Sequence, residues 1–169
     1  MTAVDTTTTS LADQDMALLF QYTVEAYKTF QKLAENLPNP MTRMIFAQFA
    51  GDERGNRDLI EMKISSIGHG RVRVTLGSDM IFNDILEGEL SYREASEFLI
   101  ARERTMQRKL RELLGTSGAS DKNLLIYLET VKRAHIVELE RELELIKLDN
   151  DWWKREDAEY RIVHGTPPA

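Results

Sequence analysis

The chain contains no cysteine, which excludes disulfides, thiolate zinc sites, catalytic thiols and any rubredoxin-type iron held by cysteine pairs. Only 4 prolines and 9 glycines occur in 169 residues, most of them between regular segments, so long helices are favoured over a sandwich of short strands. No apolar run approaches about 18 residues, and a membrane is not an expected partner. Met1 to Ser10 is a polar, Thr-rich arm without the basic and apolar regions of a signal peptide, which makes the cytoplasm the expected location. Basic charge is in deficit as well: 22 Lys and Arg against 28 Asp and Glu leave a formal net charge of -6. No segment concentrates enough cation to override that balance, so nucleic acid is not expected either. What remains is an ordinary globular composition, with 42% hydrophobic and 30% charged residues, in a length that suits one domain with a real core.

Punctuation falls where four helices need it. The first helix can start after Ser10 and stops near Asn36, because Pro38 and Pro40 cannot continue it. Asn39 then reads as an N-cap with Pro40 at the first helical position, and the second helix runs to Ile67, where Gly68 supplies a left-handed terminus. Residues 68–90 form a long connection that contains Val72-Arg73-Val74 and a short helix from Ser78 to Leu86. Ser91 and Glu94 make a capping box for the third helix, which ends near Gly115. The fourth starts around Asp121 and is expected to continue past Trp152-Trp153 to about Val163. Short links make each helix pair an antiparallel hairpin, and the connection between the pairs is long enough to cross over along the molecule. The expected fold is therefore all-α: an antiparallel four-helix bundle over residues 11–148, with a disordered arm before it (1–10) and a helical extension and tail after it (149–169).

The apolar stripes carry the chemistry. The first helix presents Met16, Leu19, Thr23, Ala26, Phe30, Leu33 and Leu37 on one face; the second presents Ile45, Phe49, Ile60 and Ile67 together with Glu53 and Asn56. Leu99, Met106, Leu110 and Leu113 share a face of the third with Glu103, and Leu125, Leu128, Leu139, Leu143 and Ile146 share a face of the fourth with Lys132 and His135. Each stripe has its polar interruption near mid-length, so all of them can meet at one level. A buried polar group is costly unless it is paired or ligates a metal. Two of the interruptions, Glu53-x-x-Asn56 and Lys132-x-x-His135, look like edited copies of the Glu-x-x-His unit with which helical bundles hold iron or manganese.

The run Phe46-x-x-Phe49-Ala50-Gly51-Asp52-Glu53-x-x-Asn56 resembles the second-helix signature of the rubrerythrin branch of the ferritin-like superfamily: an aromatic, an apolar-Ala pair, an acidic residue and Glu-x-x-His. Ala26-x-x-x-Phe30-x-x-Leu33-Ala34 is similar to that family's first helix, Leu99-x-x-x-Glu103 to its third, and Leu125-x-x-Leu128 leading to Lys132-x-x-His135 to its fourth. The resemblance covers about Leu11 to Ile146. It implies a ferritin-like fold with its long crossover between helices 2 and 3, and six ligand positions falling on Thr23, Glu53, Asn56, Glu103, Lys132 and His135. Glu53, Glu103 and His135 keep the family's residue types, whereas Thr23, Asn56 and Lys132 replace a Glu, a His and a Glu. Glu25 is no substitute, because it lies about 200° round the helix from Thr23 and is expected in solvent.

By the family's map one metal loses both of its private ligands, so a full diiron centre is not expected. Glu53, Glu103 and His135 could still hold a single Fe, Mn or Zn ion. Against that stands Lys132, whose ammonium repels a divalent cation and can itself neutralise Glu53 and Glu103. Two functions follow: a metal-free or metal-poor binding or structural module, or a non-haem iron or manganese oxidoreductase, or iron-handling protein, that uses a reduced site. His135 taken alone reads as a hydrogen-bonded core histidine as readily as a ligand, and Thr23 as a side chain bonded to its own helix. Tyr22, Tyr27, Phe30 and Phe49 read as packing. Arg102, Arg104, Arg108, Lys109 and Arg111, answered by Glu138, Glu140, Glu142 and Glu144, read as solvated faces. Trp152 and Trp153 either cap the core or anchor a protein partner, with a homo-oligomer, of which a dimer is one form, as the expected assembly.

Overall fold

The computed structural model describes residues 13–66 and 81–165, and every regular element among them is helical. In chain order these are α1 (Asp13–Asn36), α2 (Pro40–Ser66), α3 (Ile81–Leu86), α4 (Tyr92–Thr116), α5 (Ala119–Leu148), a single 3-10 turn (Trp152–Lys154) and α6 (Ala158–His164). The expected N-terminal arm, Val72-Arg73-Val74, the end of the second helix at Ile67, the start of the short helix at Ser78 and the extreme C-terminal tail lie outside the described residues.

Local chemistry sets the helix ends. The Asn39 Oδ1 accepts from the backbone N–H groups of Met41 (2.9 Å) and Thr42 (3.1 Å), satisfying two donors that the first turn of α2 leaves free. Ser91 and Glu94 form the reciprocal capping box of α4: the Glu94 N–H donates to Ser91 Oγ at 3.1 Å and the Ser91 N–H to Glu94 Oε1 at 3.2 Å. The fourth long helix does not run on to Val163. It stops at Leu148, because Asp149 turns to extended backbone and its carboxylate accepts from the Asp151 N–H (3.1 Å) and from Arg155 Nε (2.8 Å). An Asp that bonds the backbone two residues on competes with helix continuation, and three polar turn formers in a row make that competition effective here.

Ion pairs and hydrogen bonds fix how the long helices lie against one another. Asp15 pairs with Lys109 (3.2 Å) and Glu25 with Arg102 (3.7 Å), so α1 and α4 run antiparallel. Along α2 and α5, Thr42 meets Glu142 (2.6 Å), Glu53 meets Lys132, and Lys63 meets Asp121 (2.5 Å), which is again antiparallel. Arg104–Glu140 (3.2 Å) and Arg111–Glu129 (3.6 Å) set α4 against α5 in the same sense. With α1 and α2 joined through residues 37–39 as a hairpin, α2 and α4 must point the same way. The start of α4 therefore lies at the end of the molecule where α2 begins, and α2, at about 1.5 Å per residue, is about 40 Å long.

The core lies between the four long helices. Leu19, Leu33, Phe46, Ile60, Leu99, Leu110, Leu125, Leu139 and Ile146 are fully enclosed, and each complete burial of such a side chain contributes about 1.5–3 kcal/mol relative to exposure. Trp152 and Trp153 are buried as well. They are not exposed anchors for a partner; the break at Asp149 folds them back over one end of the core. There the Trp153 ring lies edge-on to Phe46 at 5.5 Å, and Asn39 holds the turn through its Nδ2 to the Trp152 carbonyl (2.7 Å).

Candidate metal centre

Glu53 and Asn56 on α2, Glu103 on α4, and Lys132 and His135 on α5 are buried and meet one another, with Tyr22 of α1 against Glu103 and its neighbour Thr23 buried as well. They are there because each occupies an inward position of an otherwise apolar stripe. Aromatic packing connects this level to the end cap: Phe30 touches both Phe46 (5.9 Å between centroids) and Phe49 (5.2 Å), and Phe49 lies 4.1 Å from the His135 ring.

Lys132 stands at the centre of the polar cluster. Its Nζ donates to Glu53 Oε1 and lies 3.3 Å from Glu103 Oε2 and 3.4 Å from Glu103 Oε1. Its charge is also 4.7 Å from the centroid of the Tyr22 ring, and the Tyr22 hydroxyl donates to Glu103 Oε2. Burial pulls a lysine pKa down, but here the carboxylates of Glu103 and Glu53 outweigh it and hold Lys132 above its ordinary value. Glu103 is the mirror case: burial pushes it up, and the Lys132 charge with the His135 hydrogen bond brings it below its ordinary value. Both groups are therefore ionised at neutral pH.

His135 is clamped from both sides. Its Nδ1 is 2.9 Å from Glu103 Oε1 and its Nε2 is 2.9 Å from Asp52 Oδ2. A carboxylate only accepts, so both ring nitrogens must donate, and a doubly donating imidazole is an imidazolium. Burial lowers the His135 pKa, while the hydrogen bonds to Asp52 and Glu103 outweigh both burial and repulsion from Lys132 and raise it. Glu53 and Glu103 against Lys132 and His135 then sum to zero buried charge, with the 41% exposed Asp52 carboxylate at the boundary with solvent. One carboxylate oxygen, Glu53 Oε2, and the neighbouring Asn56 Oδ1 are buried with no hydrogen-bond donor. Asn56 Nδ2 reaches Glu53 Oε1 only at 3.5 Å.

Five of the six ligand positions taken from the sequence, all but Thr23, are thus joined by side-chain contacts, but not as two metal sites. Thr23 Oγ1 donates to the Leu19 carbonyl of its own helix at 2.7 Å, and Lys132 fills the space between the carboxylates. The donor set does not fit a pair of divalent ions. Ligand atoms of Glu53, Glu103 and His135 do lie within 4.8 Å of one another, which is compact enough for one ion were Lys132 and the His135 protons displaced.

Several groups escaped the sequence reading. Asp52 was legible only as the acidic residue of a motif, and Tyr22 only as packing. Glu25 is half-buried rather than solvated, and it bonds Gln21 (2.5 Å) and faces Arg102. Glu142 is not on a solvated face either: it is buried, and its Oε1 accepts from Thr42 Oγ1 (2.6 Å), Trp153 Nε1 (3.1 Å) and Trp152 Nε1 (3.3 Å). Lys132, His135, Leu139, Glu142 and Ile146 follow one another at the 3 and 4 spacing of a single helix face. That continuity was the available signal.

Comparison of the chain with protein-family models, with curated proteins and with solved structures found no match. No helix among the described residues is long and apolar enough to cross a membrane.

Proposed function

We propose that the chain is a ferritin-like four-helix bundle of the rubrerythrin type whose dimetal centre has been replaced by an internal ion-pair cluster, and that it acts as a metal-free binding or structural module. The observation that carries this reading is the position of Lys132, an ammonium between Glu53 and Glu103 where the family implies a carboxylate. The antiparallel pairing of α1 with α4 and α2 with α5, and the shared direction of α2 and α4, support the fold assignment. Self-association as a dimer and a cytoplasmic location belong to the same reading.

Anaerobic loading with Fe(II), Mn(II) or Zn(II), followed by desalting and elemental analysis, tests it. Less than a tenth of an equivalent of metal per chain is expected, and retention of two irons overturns the reading. Replacing Thr23→Glu, Asn56→His and Lys132→Glu together is expected to restore stoichiometric iron.

One observation favours a second reading, a single-metal oxidoreductase. Asp52 holds His135 Nε2 and turns Nδ1 towards Glu53 and Glu103, the arrangement by which an outer carboxylate orients a metal-bound imidazole. One metal per chain together with peroxide turnover would select it.

A further inference from the structure

On the outer side of Tyr22, between α1 and α4, runs a groove of about 460 Å³, within the size range of small-molecule sites. Its walls include Leu18 and Phe98, which are 44% and 49% exposed, and the exposed Ala101, with Met106 buried at its base. One cation faces this apolar surface: Arg102, whose guanidinium lies 5.2 Å from the Tyr22 ring centroid. Arg102 Nη2 is shielded from solvent and has no hydrogen-bond partner. The nearest carboxylate oxygen, Glu25 Oε2, is 3.7 Å away, and the other oxygen of Glu25 accepts from Gln21 at 2.5 Å. An under-satisfied guanidinium is costly, and because the Arg102 side chain keeps 20% of its surface exposed and lines the groove, a carboxylate can meet its planar fork of donors there.

We propose that this groove binds a free amphipathic carboxylate, with the head group on Arg102 and the hydrocarbon chain over Leu18 and Phe98. An amine is rejected by the same charge. An alcohol offers one neutral acceptor where the guanidinium presents a fork of donors. Glu25 shares the guanidinium rather than being expelled, so its charge weakens binding without preventing it. The site deepens the reading of the chain as a binding module but does not depend on the metal content of the centre. A chain that kept two irons could still bind the acid, and a metal-free chain that ignored it would leave the reading of the centre intact.

The test is titration of the full chain with hexanoate, octanoate and decanoate below their micelle concentrations, read by calorimetry and by amide chemical shifts. Saturable binding is expected, with shifts confined to the α1–α4 face and affinity rising about four-fold per added methylene. Decanol and decylamine should bind at least ten-fold more weakly than decanoate, about 1.4 kcal/mol. Arg102→Gln is expected to weaken decanoate about 10- to 100-fold, the range for a charged hydrogen bond, and Glu25→Gln to tighten it about two- to five-fold, as loss of one exposed like charge permits. Opposite effects from two neighbouring substitutions cannot both come from misfolding. Decanol binding as tightly as decanoate, shifts scattered over other faces, no saturable binding, or an Arg102→Gln protein with unchanged affinity would each overturn the proposal.

Discussion

Substituting Lys132→Met removes the ammonium while keeping most of the side-chain volume, and the structure indicates which group bears the loss. Glu103 keeps the His135 Nδ1 at 2.9 Å and the Tyr22 hydroxyl. Glu53 keeps the Asn56 amide at 3.5 Å and the His135 Nδ1 at 3.7 Å, both longer contacts, and its second oxygen already has no donor. At an effective dielectric of about 20, the Lys132–Glu103 contact at 3.3 Å has a gross attraction of about 5 kcal/mol, and the closer contact with Glu53 has at least as much. Most of that is offset by the desolvation of three ions, so the net cost of losing one partner is about 3–5 kcal/mol. With a urea slope of about 2 kcal/mol per molar, the unfolding midpoint at pH 7 should fall by about 1.5–2.5 M. Lowering the pH should shrink the loss, because a protonated carboxyl needs no counterion. Adding Glu53→Gln to the Met variant should recover about half or more of it, a coupling that a double-mutant cycle measures directly. A loss below about 1 kcal/mol at pH 7, with no recovery in the double variant, would refute the reasoning by showing that water already screens the cluster.

The centre also makes a signed prediction about pH. His135 is raised above its ordinary 6.5, so its contribution is complete below that value and is lost as pH rises through the folded pKa; Glu103 is lowered from 4.5, so its contribution is complete above that value and is lost as pH falls. The cost of His135→Gln should therefore be largest near pH 5–6 and decline above it in urea unfolding, and a difference that does not vary with pH would count against the imidazolium. At the end cap, burial raises Glu142 despite the hydrogen bonds from Thr42, Trp153 and Trp152, and Glu138 adds repulsion, so its ionisation costs stability as pH climbs past 4.5. Glu142→Gln should be within about 1 kcal/mol of the native chain at pH 8, whereas Glu142→Ala leaves three buried donors without an acceptor and should cost about 3 kcal/mol. The only two tryptophans are in this cap, so their fluorescence reports on it alone, and equal losses in the two variants would show that the carboxylate oxygen is not what holds it.

Where side-chain chemistry acts within a turn or two of sequence, the sequence was readable. Asn39 and Ser91–Glu94 cap helices as their residue types require, and the polar breaks in the apolar stripes of the second, third and fourth long helices do meet. What could not be read depends on reach and on breaks. Asp52 lies about 100° round α2 from Glu53, yet its side chain extends back to His135, a contact no periodicity encodes. The stop at Asp149 depends on its carboxylate finding Arg155 six residues on, and with that stop go the burial of both tryptophans and of Glu142. Arg102 read as one charge in a basic run because its distinguishing property, a nitrogen shielded from water without an acceptor, exists only once α1 packs beside α4.

The Lys132 ammonium also governs how this core can change by mutation. Lys132→Glu taken alone would place three carboxylates around one imidazolium, and Thr23→Glu or Asn56→His taken alone would add a ligand to a space the ammonium still holds. Each single step towards a metal centre therefore passes through a less stable protein, and only changes made together, with a divalent ion at hand, are compensated. One side chain acts as a ratchet against the acquisition of metal chemistry.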